Sequence, residues 1–451
     1  MLKKDDIVEI RIEDVTHEGE GVGKNDGFAV FVPKTVTGDV VKAKVISSKK
    51  SYARALMEEI ITPSLYRVEP KCSVYADCGG CNLQHADYQH QLHIKRKLVS
   101  DAIKRIGGFE DVSVHQTLSA GSENYRNKMQ APVGIVDGKT VAGFYKQRSH
   151  DIVVTESCSI QHSYNNHILN NIVKAVREIE VPPYDETTHK GVIRHIMTRV
   201  GIATNQTMGI LVVTERGFPQ KGELVTKIRK LLPKLTTLVI NVNNKKTNVI
   251  LGEETQVIFG PGHIEEISQG ITFKISPVSF FQVNPKGMEL LYNKAVEYAA
   301  LTGREKVIDA YCGLGSISLY MAKKAKRVVG IEVVAQAVAD ANENAKLNDI
   351  KNVSFIEGKV EEVMVDLMTK DLYSDVVVLD PPRKGCEESL LQAIKKMAPR
   401  RIVYVSCNPS TLSRDLKILC QDGKYKLKEV QPVDMFPHTG HVECCVLIER
   451  K

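Results

Sequence analysis

KVIDAYCGLGSISLYMAKKA (306–325) runs from a short apolar stretch of strand length, through a glycine turn, into residues at helical spacing. The same order returns downstream. RVVGIEVVAQAVADANENAKLN (327–348) repeats it, and VSFIEG (353–358) is followed by VEEVMVDLMT (360–369). DVVVLDPPRKG (375–385) leads to ESLLQAIKKMA (388–398), and RIVYVSC (401–407) to LSRDLKIL (412–419). Two β runs, KLKEVQPVDMF (426–436) and HVECCVLIER (441–450), close the chain. Strict βα alternation builds a parallel sheet wrapped by helices, so this half reads as a doubly wound α/β domain ending in an antiparallel hairpin.

In such a sheet ligands collect beyond the carboxyl ends of the strands. Cys407 lies there, between a strand and the helix-start residues Asn408, Pro409 and Ser410. A helix N-terminus favours a thiolate, although a small buried core cysteine has the same sequence signature. In Asp309-Ala-Tyr311-Cys-Gly313-Leu-Gly315 the glycines let the backbone approach a ligand. Glu332, about twenty residues on, ends the next strand where it can take a ribose diol. A nicotinamide cofactor uses similar logic, but its third glycine is missing near 317–318. Asp309 and the closing hairpin favour S-adenosylmethionine. Asp380-Pro381-Pro382 ends the fourth parallel strand, where two prolines aim the carboxylate into the cleft. A similar sequence occurs in methyltransferases of base amino groups, but those carry an aromatic where this chain has Arg383. C5 of uracil poses a different problem: it is a poor nucleophile until a thiolate adds to C6. Glu443 is the candidate general base, because the final hairpin can bring it to the same edge; a surface carboxylate beside a strand would look alike.

Upstream, the first sixty residues alternate apolar and polar positions around glycine-rich turns, the pattern of a small β-barrel. Cys72, Cys78 and Cys81 form C-x5-C-x2-C, and Cys158 stands alone in TESCSI (155–160). Four thiolates complete a tetrahedral set, and spacing does not separate iron–sulfur from zinc. A basic helix is predicted from about 87 to 106 and ends at Gly107-Gly108. Residues from about 115 to 265 mix β runs, NVILG (248–252) among them, with two helical patterns, as in an α+β domain with mostly antiparallel pairing. ITFKISPVSFFQVN (271–284) reads as one strand, and Pro285 opens the helix behind it, with Asn284 as its cap.

Of the 451 residues, 43% are hydrophobic and 25% charged, an ordinary globular balance. No stretch approaches about 18 uncharged apolar residues, so a cytoplasmic protein without membrane spans is expected. Ten cysteines in such a chain do not read as a disulfide framework. The net charge of +7 is a mild hint of a polyanionic partner. Basic residues cluster in HIKRK (93–97), NYRNK (124–128), FYKQRSH (144–150) and VIRHIMTR (192–199), which together suggest a nucleic-acid surface.

SFFQVN, DAYCGLGS, GIEVV, LDPPRKG, YVSCNPSTLSRDL and MFPHTGHVECCVLIER together resemble the RumA/TrmA-like RNA uracil-5-methyltransferase family. EGEGVGKNDGFAVFVPKTVTGD (18–39) resembles the TRAM domain, an OB-like barrel appended to RNA-modifying enzymes. The resemblance implies a Rossmann-like class I methyltransferase domain (269–451), preceded by the TRAM-like barrel (1–62) and a central α+β domain (63–268). It implies Cys407 as nucleophile and Glu443 as base. Gln282, Asp309, Tyr311, Gly313, Glu332 and Asp380 would surround S-adenosylmethionine. Asp380 and Phe280 would meet the uridine, and Cys72, Cys78, Cys81 and Cys158 would hold a [4Fe–4S] cluster. The barrel and cysteine set favour 23S rRNA, at a loop or single-stranded uridine, over tRNA. No protein partner is evident. A non-catalytic RNA-binding or assembly factor on the same scaffold is the reading from another class.

Overall fold

The computed structural model describes residues 2–370 and 372–451. Strands β1 (Ile7–Val15), β2 (Glu20–Asn25), β3 (Phe28–Pro33), β4 (Val40–Ser48) and β5 (Tyr52–Thr62) close into a barrel in the order β1-β2-β3-β5-β4. Alternation puts Ile10, Ile12, Val30, Val32 and Val41 inside. At Gly23 a Cβ would sit 2.2 Å from the Arg11 carbonyl oxygen, so close pairing of β1 and β2 requires glycine.

Helix α1 (Tyr88–Arg105) starts where the Asp87 side chain accepts hydrogen bonds from the Gln89 and His90 amides, and it stops before the predicted glycine pair. A two-residue strand, β6 (Ser113–Val114), follows. Spacing alone groups this stretch with the central unit, but β6 pairs in parallel with residues 429–430 at the edge of the C-terminal sheet. Val99 and Ile103 of α1 bury into that sheet's core. Lys95 in the same helix is fully buried, ion-paired with the equally buried Asp434 and donating to the Phe436 carbonyl at 2.9 Å. Lys95→Met leaves Asp434 buried without its cation, at a cost of about 3–5 kcal/mol. Equilibrium denaturation reads this as a lower midpoint.

The central sheet contains β7 (Lys128–Val136), β8 (Lys139–Tyr145), β9 (Ile152–Val154), β10 (Ile193–Val200), β11 (Thr207–Val213), β12 (Thr237–Val242) and β13 (Glu254–Phe259). Their order is β13-β12-β11-β10-β7-β8-β9, and β11–β12 is its parallel pair. Helices α2 (Ser163–Glu178) and α3 (Lys221–Leu231) cover one face, where Ile172 and Ile228 meet Ile196 and Leu211. Residues one step away in register, Met197 and Ile210, face the C-terminal domain instead.

Two expectations fail in this unit. VIRHIMTR is no surface: all of β10 is buried. Arg194 spends its guanidinium on the carbonyls of Asn243, Lys245 and Thr247, and Arg199 donates to the Ser279 carbonyl. NVILG is not a strand, because Asn243 Nδ2 takes the Val249 and Ile250 carbonyls and Asn241 Nδ2 the Gly252 carbonyl, replacing a ladder.

A hairpin of β14 (Ile264–Ser268) and β15 (Ile271–Ile275) comes next. The boundary expected at 268/269 falls in its turn, between strands paired along their whole length. β15 also ends earlier than expected: Pro277 has no amide to give, and Ser276 and Ser279 bond each other in a tight turn. Helix α4 (Pro285–Ala299) is capped as predicted, by Asn284 accepting from the Gly287 amide.

From there β16 (Lys306–Ala310), α5 (Ser316–Ala322), β17 (Arg327–Glu332), α6 (Ala335–Leu347), β18 (Val353–Glu357), α7 (Val360–Thr369), β19 (Val376–Leu379), α8 (Glu388–Met397), β20 (Arg401–Ser406) and α9 (Pro409–Cys420) alternate. β21 (Tyr425–Val433) and β22 (Glu443–Arg450) close the sheet in the order β18-β17-β16-β19-β20-β22-β21-β6. Helices α4 to α6 pack on one face, and α7 to α9 with α1 on the other. Strand order reverses between β16 and β19, which opens a crevice at their carboxyl ends. No helix among the described residues is long and apolar enough to cross a membrane.

Candidate active site

Register brings the two candidate catalytic residues together. β20 and β22 are antiparallel, with Val405 opposite Cys445 and Ser406 opposite Cys444. One step further along the same register lie Cys407, just past the end of β20, and Glu443, whose charge reaches the Cys407 thiol. Asp380 ends the neighbouring strand: Leu379 pairs with Tyr404, and the Asp380 amide donates to the Ala310 carbonyl at 3.4 Å. The three acidic groups thus share one edge of the sheet.

Burial dominates the titration of all three. Burial pushes the Cys407 thiol up to about 11; the Glu443 and Asp380 carboxyls add to the rise, and Arg383 opposes it. Burial likewise lifts Glu443 to about 7, again against Arg383. Asp380 rises well above the carboxylate range through burial and the charges of Glu443 and Asp309. The expected thiolate stabilisation by the α9 terminus is therefore outweighed in the free protein. Part of that terminus is already engaged, since Asn408 caps it through the Ser410 amide. Arg383, noticed in the sequence only as a departure from another motif, is the cation that acts on both Cys407 and Glu443.

The cleft has a volume of about 710 Å³. Cys407, Arg383 and His441 line it from the sheet, Arg105 from α1, His17 from the β1–β2 turn and Arg148 from the β8–β9 turn. Of the basic clusters read as a nucleic-acid surface, FYKQRSH thus reaches the cleft. In HIKRK, by contrast, Lys95 is wholly internal.

The cofactor candidates lie next to it along the strand ends. Asp309 is fully buried; its Oδ2 accepts from Ser318 Oγ at 2.5 Å, and its Oδ1 has no partner among the described residues. Burial pushes it up to about 7. Glu332 is aimed by two backbone amides, Gly313 at 3.1 Å and Val334 at 2.9 Å. A Cβ on Gly313 would meet nothing within 4 Å, so this glycine faces open space. Tyr311 holds a left-handed φ of 67° and donates to Glu361 at 3.4 Å. Gln282 is buried, its carbonyl accepting from Asn127 Nδ2 at 3.2 Å. The Tyr292 hydroxyl, overlooked in the sequence, shares a hydrogen bond with Ser316 Oγ at 3.2 Å, and burial with the charges of Asp380 and Asp309 pushes it up. Phe280 stands apart, 72% exposed and outside the cleft lining.

Cys72, Cys78, Cys81 and Cys158 line a separate cavity of about 240 Å³. None is in a disulfide. Burial pushes Cys81 up to about 12, and the other three thiols add to the rise. Among the described residues no three His, Cys, Asp or Glu side chains form a ready-made single-ion site.

Sheet order and a glycine-lined crevice edged by acids fit a doubly wound domain that binds a nucleoside-bearing cofactor, as S-adenosylmethionine-dependent methyltransferases do. Residues 226–451 match the tRNA (Uracil-5-)-methyltransferase family, and residues 4–57 match the TRAM domain. An uncharacterized RNA methyltransferase of Listeria monocytogenes is 50% identical over 451 residues, covering 99% of this chain and 98% of its own length. One from Halalkalibacterium halodurans is 46% identical, covering 100% and 98%. The crystal structure of Pyrococcus abyssi tRNA (uracil-54, C5)-methyltransferase in complex with S-adenosyl-L-homocysteine superposes with a TM-score of 0.79. It is 28% identical and covers 98% of this chain and 100% of its own. The chain belongs to the tRNA (uracil-5-)-methyltransferase family and carries an N-terminal TRAM domain.

Proposed function

We propose that this enzyme methylates C5 of uridine in 23S rRNA through a covalent bond between Cys407 and C6. The observation that carries the reading is the register of β20 and β22, which sets a half-exposed thiol opposite a buried carboxyl at the crevice. Cys407 gives its proton to water and attacks C6, forming S–C6, while the C5=C6 electron pair moves onto C5 and the neighbouring carbonyl oxygen. Asp380, at the adjoining strand end, would contact the polar edge of the uracil and hold the ring over Cys407. S-adenosylmethionine, when bound, supplies the methyl group that C5 takes. Glu443 then accepts the C5 proton; the pair left behind rebuilds C5=C6 and expels the Cys407 thiolate, which Arg383 offsets.

Gln282, Asp309, Tyr311, Gly313, Glu332 and Asp380 would hold the methyl donor. The unpartnered Asp309 Oδ1, the aimed Glu332 and the open side of Gly313 fit such a ligand. Phe280, exposed ahead of Gln282, offers a ring for an RNA base to stack on. The target uridine must leave its stack to reach Cys407, which suits a loop or single-stranded site.

Cys72, Cys78, Cys81 and Cys158 would hold a [4Fe–4S] cluster, since four thiols around one cavity match its ligand demand. Iron and sulfide in anaerobically purified protein are the expected result; stoichiometric zinc overturns it.

The barrel and cysteine loop favour ribosomal RNA, but the Pyrococcus protein supports tRNA as the second reading. Methyl transfer to purified 23S rRNA and tRNA decides between them: faster transfer to rRNA is expected, and transfer confined to tRNA overturns the choice.

A further inference from the structure

The geometry points to Asn82 as a positioning residue that fixes the turn leading into Glu443 against both the barrel and the cysteine loop. Asn82 directly follows Cys81 and lines the same cleft as Cys407. Its side chain uses both halves of the amide: Nδ2 donates to the Glu18 carbonyl at 2.6 Å, and Oδ1 accepts from the Gly440 amide at 3.0 Å. Its main-chain N–H and that of Leu83 both donate to the His438 carbonyl, each at 3.0 Å. Residues 438–440 thus make three hydrogen bonds with two consecutive residues of a distant loop, accepting two and donating one.

The turn needs holding. His438 has a left-handed φ of 67°, a conformation that a residue with a Cβ adopts only when its surroundings impose it. Gln91 of α1 adds a fourth tie, accepting from the His438 amide at 3.1 Å. Packing allows no slack. A Cβ on Gly440 would lie 2.2 Å from the His17 carbonyl oxygen, and one on Gly19 would lie 2.6 Å from Asn82 Cγ. Barrel, cysteine loop and turn therefore meet on one amide. Three residues beyond Gly440 the chain reaches Glu443, with His441 and Val442 between them lining the cleft. The placement of the base is set from outside the methyltransferase domain, and a shift of the cysteine loop moves the turn with it.

This inference rests on the proposed role of Glu443. Asn82→Ala removes both side-chain bonds, whereas Asn82→Asp keeps the acceptor for Gly440 and sets two oxygens against each other at Glu18. In full-length Asn82→Ala, amide exchange across 438–443 is expected to accelerate and kcat to fall about 10- to 100-fold, the scale of a small misplacement of a reacting group. Asn82→Asp should keep kcat within about threefold, because the bond to Gly440 survives, while KM for RNA rises as the barrel loosens. Unchanged exchange in the alanine variant, or an equal fall of kcat in both variants, overturns the positioning role. If the alanine variant does not fold, exchange at 438–443 in Asn82→Asp and Asn82→Ser carries the test, with slow exchange in the serine variant overturning it. Failure of the Glu443 reading shows separately, as full turnover by Glu443→Gln with the exchange result intact.

Discussion

Cys407→Ala is expected to lower methyl transfer on the order of 10⁴-fold or more, the scale seen when a covalent nucleophile is removed. It is also expected to abolish the covalent adduct with 5-fluorouridine RNA. Fluorine at C5 cannot leave as a proton, so an enzyme that has attacked C6 and methylated C5 stays bonded to the RNA. Denaturing electrophoresis with labelled RNA reads this directly. Other thiols of the methyltransferase domain are poor substitutes: Cys312, Cys386, Cys444 and Cys445 are all buried, and Cys420 ends α9, a whole helix away from Cys407. An undiminished adduct in Cys407→Ala would sink the covalent reading. The free thiol lies at about 11, so adduct formation by the parent should quicken with pH across the neutral range. Arg383→Met, which removes the opposing cation, pushes the thiol higher still and should slow attack at a given pH.

The parts legible in the sequence were those governed by period and by strand ends. Alternation of apolar runs with glycine turns gave β16 to β20, and each of Asp309, Glu332, Asp380 and Cys407 sat where a strand ran out. Glu443 needed one thing more, the register between β20 and β22, which depends on pairing across a connection of more than thirty residues. Charge was the poorest guide. Arginines in β10 read as solvent-facing because their type is seldom buried, yet Arg194 finds its carbonyls in a loop some fifty residues away. Buried Lys95 is the same case, paired with Asp434 across most of the chain. The hairpin boundary and the placement of α1 with β6 failed for a related reason: both depend on what a segment packs against, which no local pattern carries.

Glu443→Gln should separate the two halves of the reaction. Glutamine keeps the shape and the ability to sit opposite Cys407, but it cannot accept the C5 proton. Attack on C6 and methylation of C5 proceed, elimination stalls, and an RNA–enzyme species carrying the new methyl group accumulates. Turnover is expected to fall about 10²- to 10⁴-fold, the usual contribution of a positioned general base. The pH profile supplies a second signature. With Glu443 lifted to about 7, its basic form is lost tenfold per pH unit below that value. The parent's kcat should therefore rise towards pH 7 and then flatten, and the variant should lack that inflection. Stability gives the control, with the sign fixed by linkage. A buried carboxyl whose folded pKa is raised favours the fold while protonated and opposes it as pH rises through about 7. At pH 8 the glutamine variant should thus be no less stable than the parent, so lost turnover there is not lost structure. Rapid-quench sampling with methyl-labelled donor makes the decision: a variant that slows turnover without accumulating a methylated covalent species has lost something other than its base.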